Sequence, residues 1–297
     1  MSKTKQDIEG KQADFELSAN SYGKSQVRIS KIIRDGARHE IKEMAVSVKL
    51  RGDFKDTYST GSNAKVVATD SIKNTVYAIA AEHPLGEIES FALTLAKHFL
   101  SYEQVEAAEI DITQDFWKRI SHNGREHEHS FVKGGDEKRL TRVVHDRKGT
   151  TIESGITDLY VLKTTASEFF GFVRDKYTTL QDVNDRIFAT AIEARWFFDE
   201  VKEEQPRDYN NIFDSNKKTL LEVFASHHSL SVQQTLYVMG EELLKLDDTI
   251  AEVKITMPNR HRIPFNVEPF GLKNQNEIFV TTDEPYGLIE GVVRRKV

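Results

Sequence analysis

Cysteine is absent from all 297 residues. That absence excludes disulfides, thiolate nucleophiles and zinc sites built on sulfur. Any metal would fall to the histidines. No apolar run approaches the ~20 residues needed to cross a bilayer, so no membrane association is expected. Residues 1–16 are polar and charged, without the apolar centre of a signal peptide. The last residues, Arg294-Arg295-Lys296-Val297, are not the Ser-Lys-Leu peroxisomal address. The expected compartment is the cytoplasm. A basic excess is missing as well. The formal net charge is -6, which argues against a nucleic-acid partner, because such proteins carry a basic footprint. What remains is an ordinary globular composition, 38% hydrophobic and 30% charged. The length suits two domains of roughly 150 residues.

Residues 1–19 read as a flexible lead-in. Val27 and Ile29 then alternate with polar residues, and so do Met44, Val46, Val48 and Leu50. Period two with one apolar face predicts two strands, joined by a turn at Asp35-Gly36. Ile72, Val76 and Ile79 recur at helical spacing, with Thr69 or Asp70 as the expected N-cap. Pro84 and Gly86 end that helix. A second helix carries Ile88, Phe91, Leu95 and Phe99, and strands follow over 105–120 and 131–144. The order repeats: strands near 159–163 and 187–198, a helix through Leu220 and Phe224, another through Val232 and Leu246, then strands at 253–257 and 278–293. The same order twice suggests a tandem duplication, with domains at 20–148 and 149–297. Ser71, Thr75 and Tyr77 match Ser231, Thr235 and Tyr237 at one offset, but that alignment pairs a first helix with a second one. Each half predicts an antiparallel four-stranded sheet with two helices on one face, an α+β architecture. The other face would need covering and the edges would need partners. Closing several sheets into a barrel would meet both needs.

The stretch 169–186 fits neither period. It holds four aromatics, Gly171, Arg174, Arg186 and several Asp within 18 residues. An aromatic face beside an Arg fork suits a planar anionic heterocycle, although the same run could be a shaped loop and nothing more. Ser231-Val232-Gln233-Gln234 is a capping-box pattern. It places Val232 and Gln233 in a first helical turn, whose free amides favour negative charge or a carbonyl oxygen. Asn259 and His261, two apart at a strand end, would point to one side. Lys24 gains interest as a base only if it is buried. His122, His127 and His129 have the best metal-ligand spacing, but their charged neighbours read as a solvated hairpin tip.

Taken together, these residues resemble the urate oxidase (uricase) family. The resemblance rests on Leu162-Lys163-Thr164-Thr165, Ser167-Glu168-Phe169, Gly171-Phe172, Arg174-Asp175, Tyr177-Thr178-Thr179-Leu180 and Asp185-Arg186. Tyr22-Gly23-Lys24, the run Val66 to Ser71, Ser231-Val232-Gln233, Pro258-Asn259-Arg260-His261 and Pro285 to Ile289 follow in the family's order, so the likeness spans about 20–293. Phe170 stands where relatives often carry Trp or His, and Pro264 is expected to interrupt a strand ladder. The resemblance implies two tunnelling-fold (T-fold) domains per chain, assembled as a homotetramer around a tunnel, with sites between subunits. It implies oxidation of urate by O2 and water to 5-hydroxyisourate and hydrogen peroxide, without metal or organic cofactor. On that likeness Arg186 and Gln233 clamp the substrate, Phe169 stacks on its ring, and the Val232 backbone meets its edge. Asn259 holds O2 or water. Lys24, Thr69 and His261 relay protons, and Asp70 helps position Thr69 and the substrate. Lys24, Thr69 and Asp70 would come from the neighbouring chain. Two alternatives stay open at this point. One is a zinc-dependent purine or pterin enzyme of the same fold, using His122, His127 and His129. The other is a purine-binding protein without activity.

Overall fold

A computed structural model describes residues 15–199 and 207–296. Of the expected lead-in, 1–14 lie outside the described residues, and 15–19 take no regular structure. The first repeat runs β1 (Tyr22–Asp35), β2 (Arg38–Gly52), α1 (Lys55–Ser59), α2 (Thr69–Glu82), α3 (Ile88–Leu100), β3 (Val105–His122) and β4 (Arg125–Asp146). The second runs β5 (Gly149–Lys163), β6 (Phe188–Phe198), α4 (Tyr209–Ser226), α5 (Val232–Leu246), β7 (Ile250–Thr256), β8 (Asn259–Pro264), β9 (Phe279–Gly287) and β10 (Glu290–Arg294). No described helix is long and apolar enough to cross a membrane.

One antiparallel sheet takes the order β1-β2-β3-β4-β5-β6-β7-β10, four strands from each repeat, with β8 paired to β6 and β9 to β8. Among the described residues β1 and β10 do not pair, so the sheet is open. Alternation explains the core. Val46, Val48 and Leu50 lie opposite Ile112, Ile110 and Ala108, and all are buried. Ile72 and Val76 of α2 and Phe91, Leu95 and Phe99 of α3 complete that layer. Each large side chain so buried contributes about 1.5–3 kcal/mol. Trp196, Phe188, Leu220 and Met239 do the same in the second repeat.

Five details depart from the sequence expectation. Helix α1 carries too few residues to show a period. The N-cap of α2 is Ala68, and Asp70 sits in its first turn, where it suits the positive end of the helix dipole. The run 278–293 is two strands, because β9 follows β8 while β10 returns to β7. Pro264 does not break its ladder: beyond it the Phe265 amide donates to the Ile278 carbonyl at 3.0 Å. In this alternating pattern the proline nitrogen occupies the unbonded, outward position, where no donor is needed. The helix-free face is not apolar either. Lys49 and Arg51 on β2 pair with Glu109 on β3, Arg142 on β4 pairs with Asp111, and Arg195 on β6 pairs with Glu153 on β5. A face of alternating charge tolerates water, so it does not require covering as the expectation had it.

The repeats share details that sequence identity conceals. Register shifts in β1 and β5 enclose Gln26 (φ 57°) and Asp158 (φ 56°). Five positions beyond each stands a lysine. Lys31 donates to the carbonyls of Ala80, Ala81 and His83 at the end of α2, at 2.8, 3.1 and 2.7 Å. Lys163 donates likewise to Phe224, at 3.2 Å, and to His227 at the end of α4. Both satisfy carbonyls that a helix end leaves free and oppose the negative end of its dipole. The repeat thus aligns α2 with α4 and not with α5, which disposes of the Ser71–Ser231 offset.

Where the repeats meet, one ion pair is buried. The Arg139 guanidinium on β4 donates to Glu89 of α3 at 2.7 Å, to Asn210 at 2.6 Å and to the Tyr209 carbonyl at 3.1 Å. Ser154 of β5 donates to the other Glu89 oxygen at 2.6 Å. Burial pushes the Glu89 carboxyl above the usual carboxylate range, while Arg139 and Ser154 pull it down. Arg139→Met leaves that carboxylate buried without its cation, at a cost of about 3–5 kcal/mol. A raised folded-state pKa gives stability present in acid and lost as pH rises through it. The variant's deficit, measured by denaturant unfolding, is therefore expected to be larger near pH 8 than near pH 5. Equal deficits at both would contradict this account.

Candidate active site

The stretch 169–186 is a loop folded back on itself. Phe169 and Val183 exchange both backbone hydrogen bonds, at 2.8 and 3.0 Å, and the Arg186 amide donates to Ser167 at 2.8 Å. This is why the two ends of an 18-residue run meet. Gly171 makes the turn at φ 73°, and its amide donates to the Asp182 carboxylate at 3.0 Å. Arg174 pairs with Asp182 at 3.0 Å, donates to the Leu180 carbonyl at 2.9 Å, and lies 4.6 Å over Phe172. Asp175 accepts from the Tyr177 amide and the Thr178 hydroxyl. The residues between the ends therefore shape the loop.

The ends face a cavity of about 250 Å³, lined by Phe169, Arg186, Asn259, His261 and Arg262 among others. The Phe169 ring stacks on Phe172 at 5.1 Å, and the Arg186 guanidinium lies 5.3 Å over the Phe169 ring. Burial pushes the Arg186 pKa down. Its Nε is buried without a hydrogen-bond partner among the described residues, a costly state that an anionic ligand would relieve. Larger cavities lie among exposed charged residues around Arg51 and Arg147 and at the β3–β4 hairpin. They gather no such unsatisfied cation, so size does not select the site.

Beside this pocket the chain pairs again. Glu168 donates its amide to Ser229 at 2.7 Å, and Ser229 donates to Ala166 at 3.0 Å. The pairing ties the loop to the start of α5. There Ser231 accepts from the Gln234 amide at 3.1 Å, and the Gln234 side chain accepts from Leu230 at 3.0 Å, one residue earlier than a capping box requires. Val232 buries its side chain and Gln233 is exposed. As the first residues of α5, their amides have no intrahelical acceptor.

Lys24, Thr69 and Asp70 form a separate group on the first repeat. Gly23 lets β1 press against β2: a Cβ there would lie 1.8 Å from the Val48 oxygen. The Tyr22 hydroxyl accepts from the Val67 amide at 2.8 Å, which brings the start of α2 against β1. Asp70 is held below its usual pKa by the Lys73 hydrogen bond and charge, with Lys24 adding to the effect. Lys24 is half-buried, and Thr69 and Asp70 are exposed. None of the three lines the Arg186 cavity. β1 is an edge strand at the far end of the path from β7 and β10, so one chain presents two groups of candidate residues.

His122, His127 and His129 sit at the β3–β4 hairpin tip, with the last two rings edge-on at 4.6 Å. Among the described residues no three His, Asp or Glu are placed to hold a metal. Arg262 and Phe279, which line the cavity, went unnoticed in the sequence. Strand alternation from Asn259 selects His261 and passes over Arg262.

Two strand–strand–helix–helix–strand–strand repeats on one open sheet, with a small arginine-lined cavity beside the second, define a tandem tunnelling-fold protein. The Uricase family profile matches residues 20–144 and 152–290. The uricase of Arthrobacter globiformis is 42% identical over 281 residues, 94% of this chain and 90% of that one. The uricase of Dictyostelium discoideum is 36% identical over 283 residues, 94% of this chain and 97% of that one. The crystal structure of the Arthrobacter globiformis uricase superposes with a TM-score of 0.90, covering 96% of each chain. The chain belongs to the uricase family.

Arg174→Ala removes the clamp across the loop, worth about 1 kcal/mol for its neutral-acceptor bond and exposed ion pair. Hydrogen exchange at the Phe169 and Val183 amides is expected to quicken about fivefold; unchanged protection would show that the loop does not depend on Arg174.

Proposed function

We propose that this chain is a urate oxidase, converting urate, O2 and water to 5-hydroxyisourate and hydrogen peroxide without metal or organic cofactor. The observation that carries the reading is Arg186: a half-buried guanidinium with an unsatisfied Nε, beside an aromatic ring, in a cavity shared with Asn259 and His261. Membership of the uricase family supports the substrate. In this reading Arg186 and Gln233 hold the anion through paired hydrogen bonds, Phe169 stacks on its ring, and the Val232 amide meets its edge. Asn259 holds O2 or water above the ring. The bound anion loses a further proton to the relay of Lys24, Thr69 and His261, with Asp70 positioning Thr69. The electron-rich ring then reduces O2 itself, so the protein supplies position, charge and proton transfer.

The separation of the two groups of residues supports a shared site. Lys24, Thr69 and Asp70 of one chain would complete the Arg186 pocket of its neighbour in a homotetramer. The open edges at β1 and β10 give the sheet a reason to associate. Each chain then folds as domains 20–148 and 149–297 around a common sheet, in the cytoplasm, with neither nucleic acid nor membrane as partner.

Urate absorbance is expected to fall, with peroxide formed and O2 consumed, and a strong chelator should leave the rate unchanged. Lys24→Met and Thr69→Ala should each lower turnover at least ~100-fold; near-parental rates would remove the relay. A mixture tests the shared site. Lys24→Met and Arg186→Gln chains, each inactive alone, should regain activity when unfolded and refolded together at equal amounts, with about a quarter of the sites drawing intact halves from two chains. No recovery, with tetramers formed, would place both groups in one chain's site.

A further inference from the structure

Arg262 lines the cavity although its strand position would turn it away from His261. His261 and Arg262 pair in step with Thr282 and Thr281, so alternation holds here, and it is the length of the side chain that lets its head fold back to the cavity side. Two bonds fix its head. Nη1 donates to the His261 carbonyl at 3.0 Å and Nη2 to the Tyr160 hydroxyl at 2.5 Å. Tyr160 stands on β5, exposed, one residue from buried Leu159 and hence on the helix-free side of the sheet. Its neighbour Arg260 is engaged elsewhere, donating to the Asp283 carbonyl at 2.7 Å and lying 4.7 Å over Tyr286. No carboxylate pairs with Arg262 among the described residues, and none pairs with Arg186.

Two guanidiniums therefore share a cavity of about 250 Å³. Its one carboxylate, Asp185, accepts from the Thr165 hydroxyl at 2.9 and 3.0 Å. Like charges in a confined, partly desolvated space repel unless an anion joins them. Several arginines elsewhere on this chain are matched by carboxylates: Arg142 with Asp111, Arg174 with Asp182, Arg195 with Glu153. The unmatched pair at the cavity marks the place an anion would fill. A guanidinium carries five N–H donors, so three remain on Arg262 beyond the two engaged.

We propose that Arg262, positioned by Tyr160, is a second anion-recognising residue of this site, drawing in and holding the negative charge of an oxopurine anion opposite Arg186. The proposal rests on the urate reading for its substrate. Arg262 acts on capture and grip, and it meets the relay residue His261 only at its backbone carbonyl, so its loss falls chiefly on KM.

Three variants of the full chain test this with steady-state urate kinetics across a range of ionic strength. Arg262→Gln should raise KM about tenfold, the worth of one charge-assisted hydrogen bond, and should flatten the fall of kcat/KM with added salt. Arg262→Lys should restore the salt dependence but only part of the affinity, since a lysine cannot span the same bonds. Tyr160→Phe keeps the charge and frees the head, so it should keep the salt dependence and raise KM about threefold. An Arg262→Gln enzyme with the parent's KM and salt dependence would overturn the proposal. So would equal losses in all three variants, which would mark Arg262 as packing alone. A parent that consumes no urate defeats the functional reading first; equilibrium dialysis with urate then judges Arg262 by itself. Tenfold weaker binding by Arg262→Gln supports the assignment, and equal binding, or no binding by either protein, overturns it.

Discussion

The backbone ladder between β4 and β5 holds the rest of the molecule in relation. It runs from Lys138 opposite Thr157 to Asp146 opposite Gly149 without a break, so two repeats share one sheet and one continuous core. Hydrogen bonds fix strand spacing near 4.8 Å, and the buried Glu89–Arg139 pair bolts α3 and α4 across the same seam. The place of Lys24 on the β1 edge and that of Arg186 beyond β5 are thereby set together. Their separation follows from sheet geometry, not from a loop that could close.

Charge is arranged differently along the sheet and at the cavity. On the helix-free side Lys49, Arg51, Arg142 and Arg195 face carboxylates. At the cavity, Arg186 and Arg262 meet aromatic rings, a hydroxyl and a carbonyl, and the carboxylate that lines it, Asp185, is taken up by the Thr165 hydroxyl. A protein that left such groups unmatched with no ligand to meet them would forfeit stability for nothing. The contrast separates candidate binding residues from architectural ones more sharply than residue type does, since arginine occurs in both.

Much of this was legible in the sequence wherever one physical period governed a segment. Met44, Val46, Val48 and Leu50 alternate because one face of β2 meets helices and the other water. Ile88, Phe91, Leu95 and Phe99 show their helix because one stripe is buried. Short or irregular elements gave no period: α1 is one turn, and β8–β9 form an arm whose exposed Ile263 and Val280 carry no one-sided pattern. Within the site, Phe169, Arg186, Asn259 and His261 were legible as residues of suitable chemistry in family order. Their convergence depends on the Phe169–Val183 pairing, a contact between distant positions that no local pattern encodes. Arg262 escaped because alternation turns it away from His261, and only its long side chain, held by Tyr160 from another strand, brings it to the cavity.

The matched helix pairs have a further consequence. Ile88 and Val232, the first residues of α3 and α5, each stand five positions past the histidine that ends the preceding helix. Glu89 and Gln233 are therefore counterparts. Glu89 is sealed beneath Arg139 and Ser154, whereas Gln233 stands open beside the cavity loop. The same helix end has taken two forms within one polypeptide: in the first copy its acidic side chain is sealed in an ion pair across the repeats, and in the second its amide side chain is open to solvent.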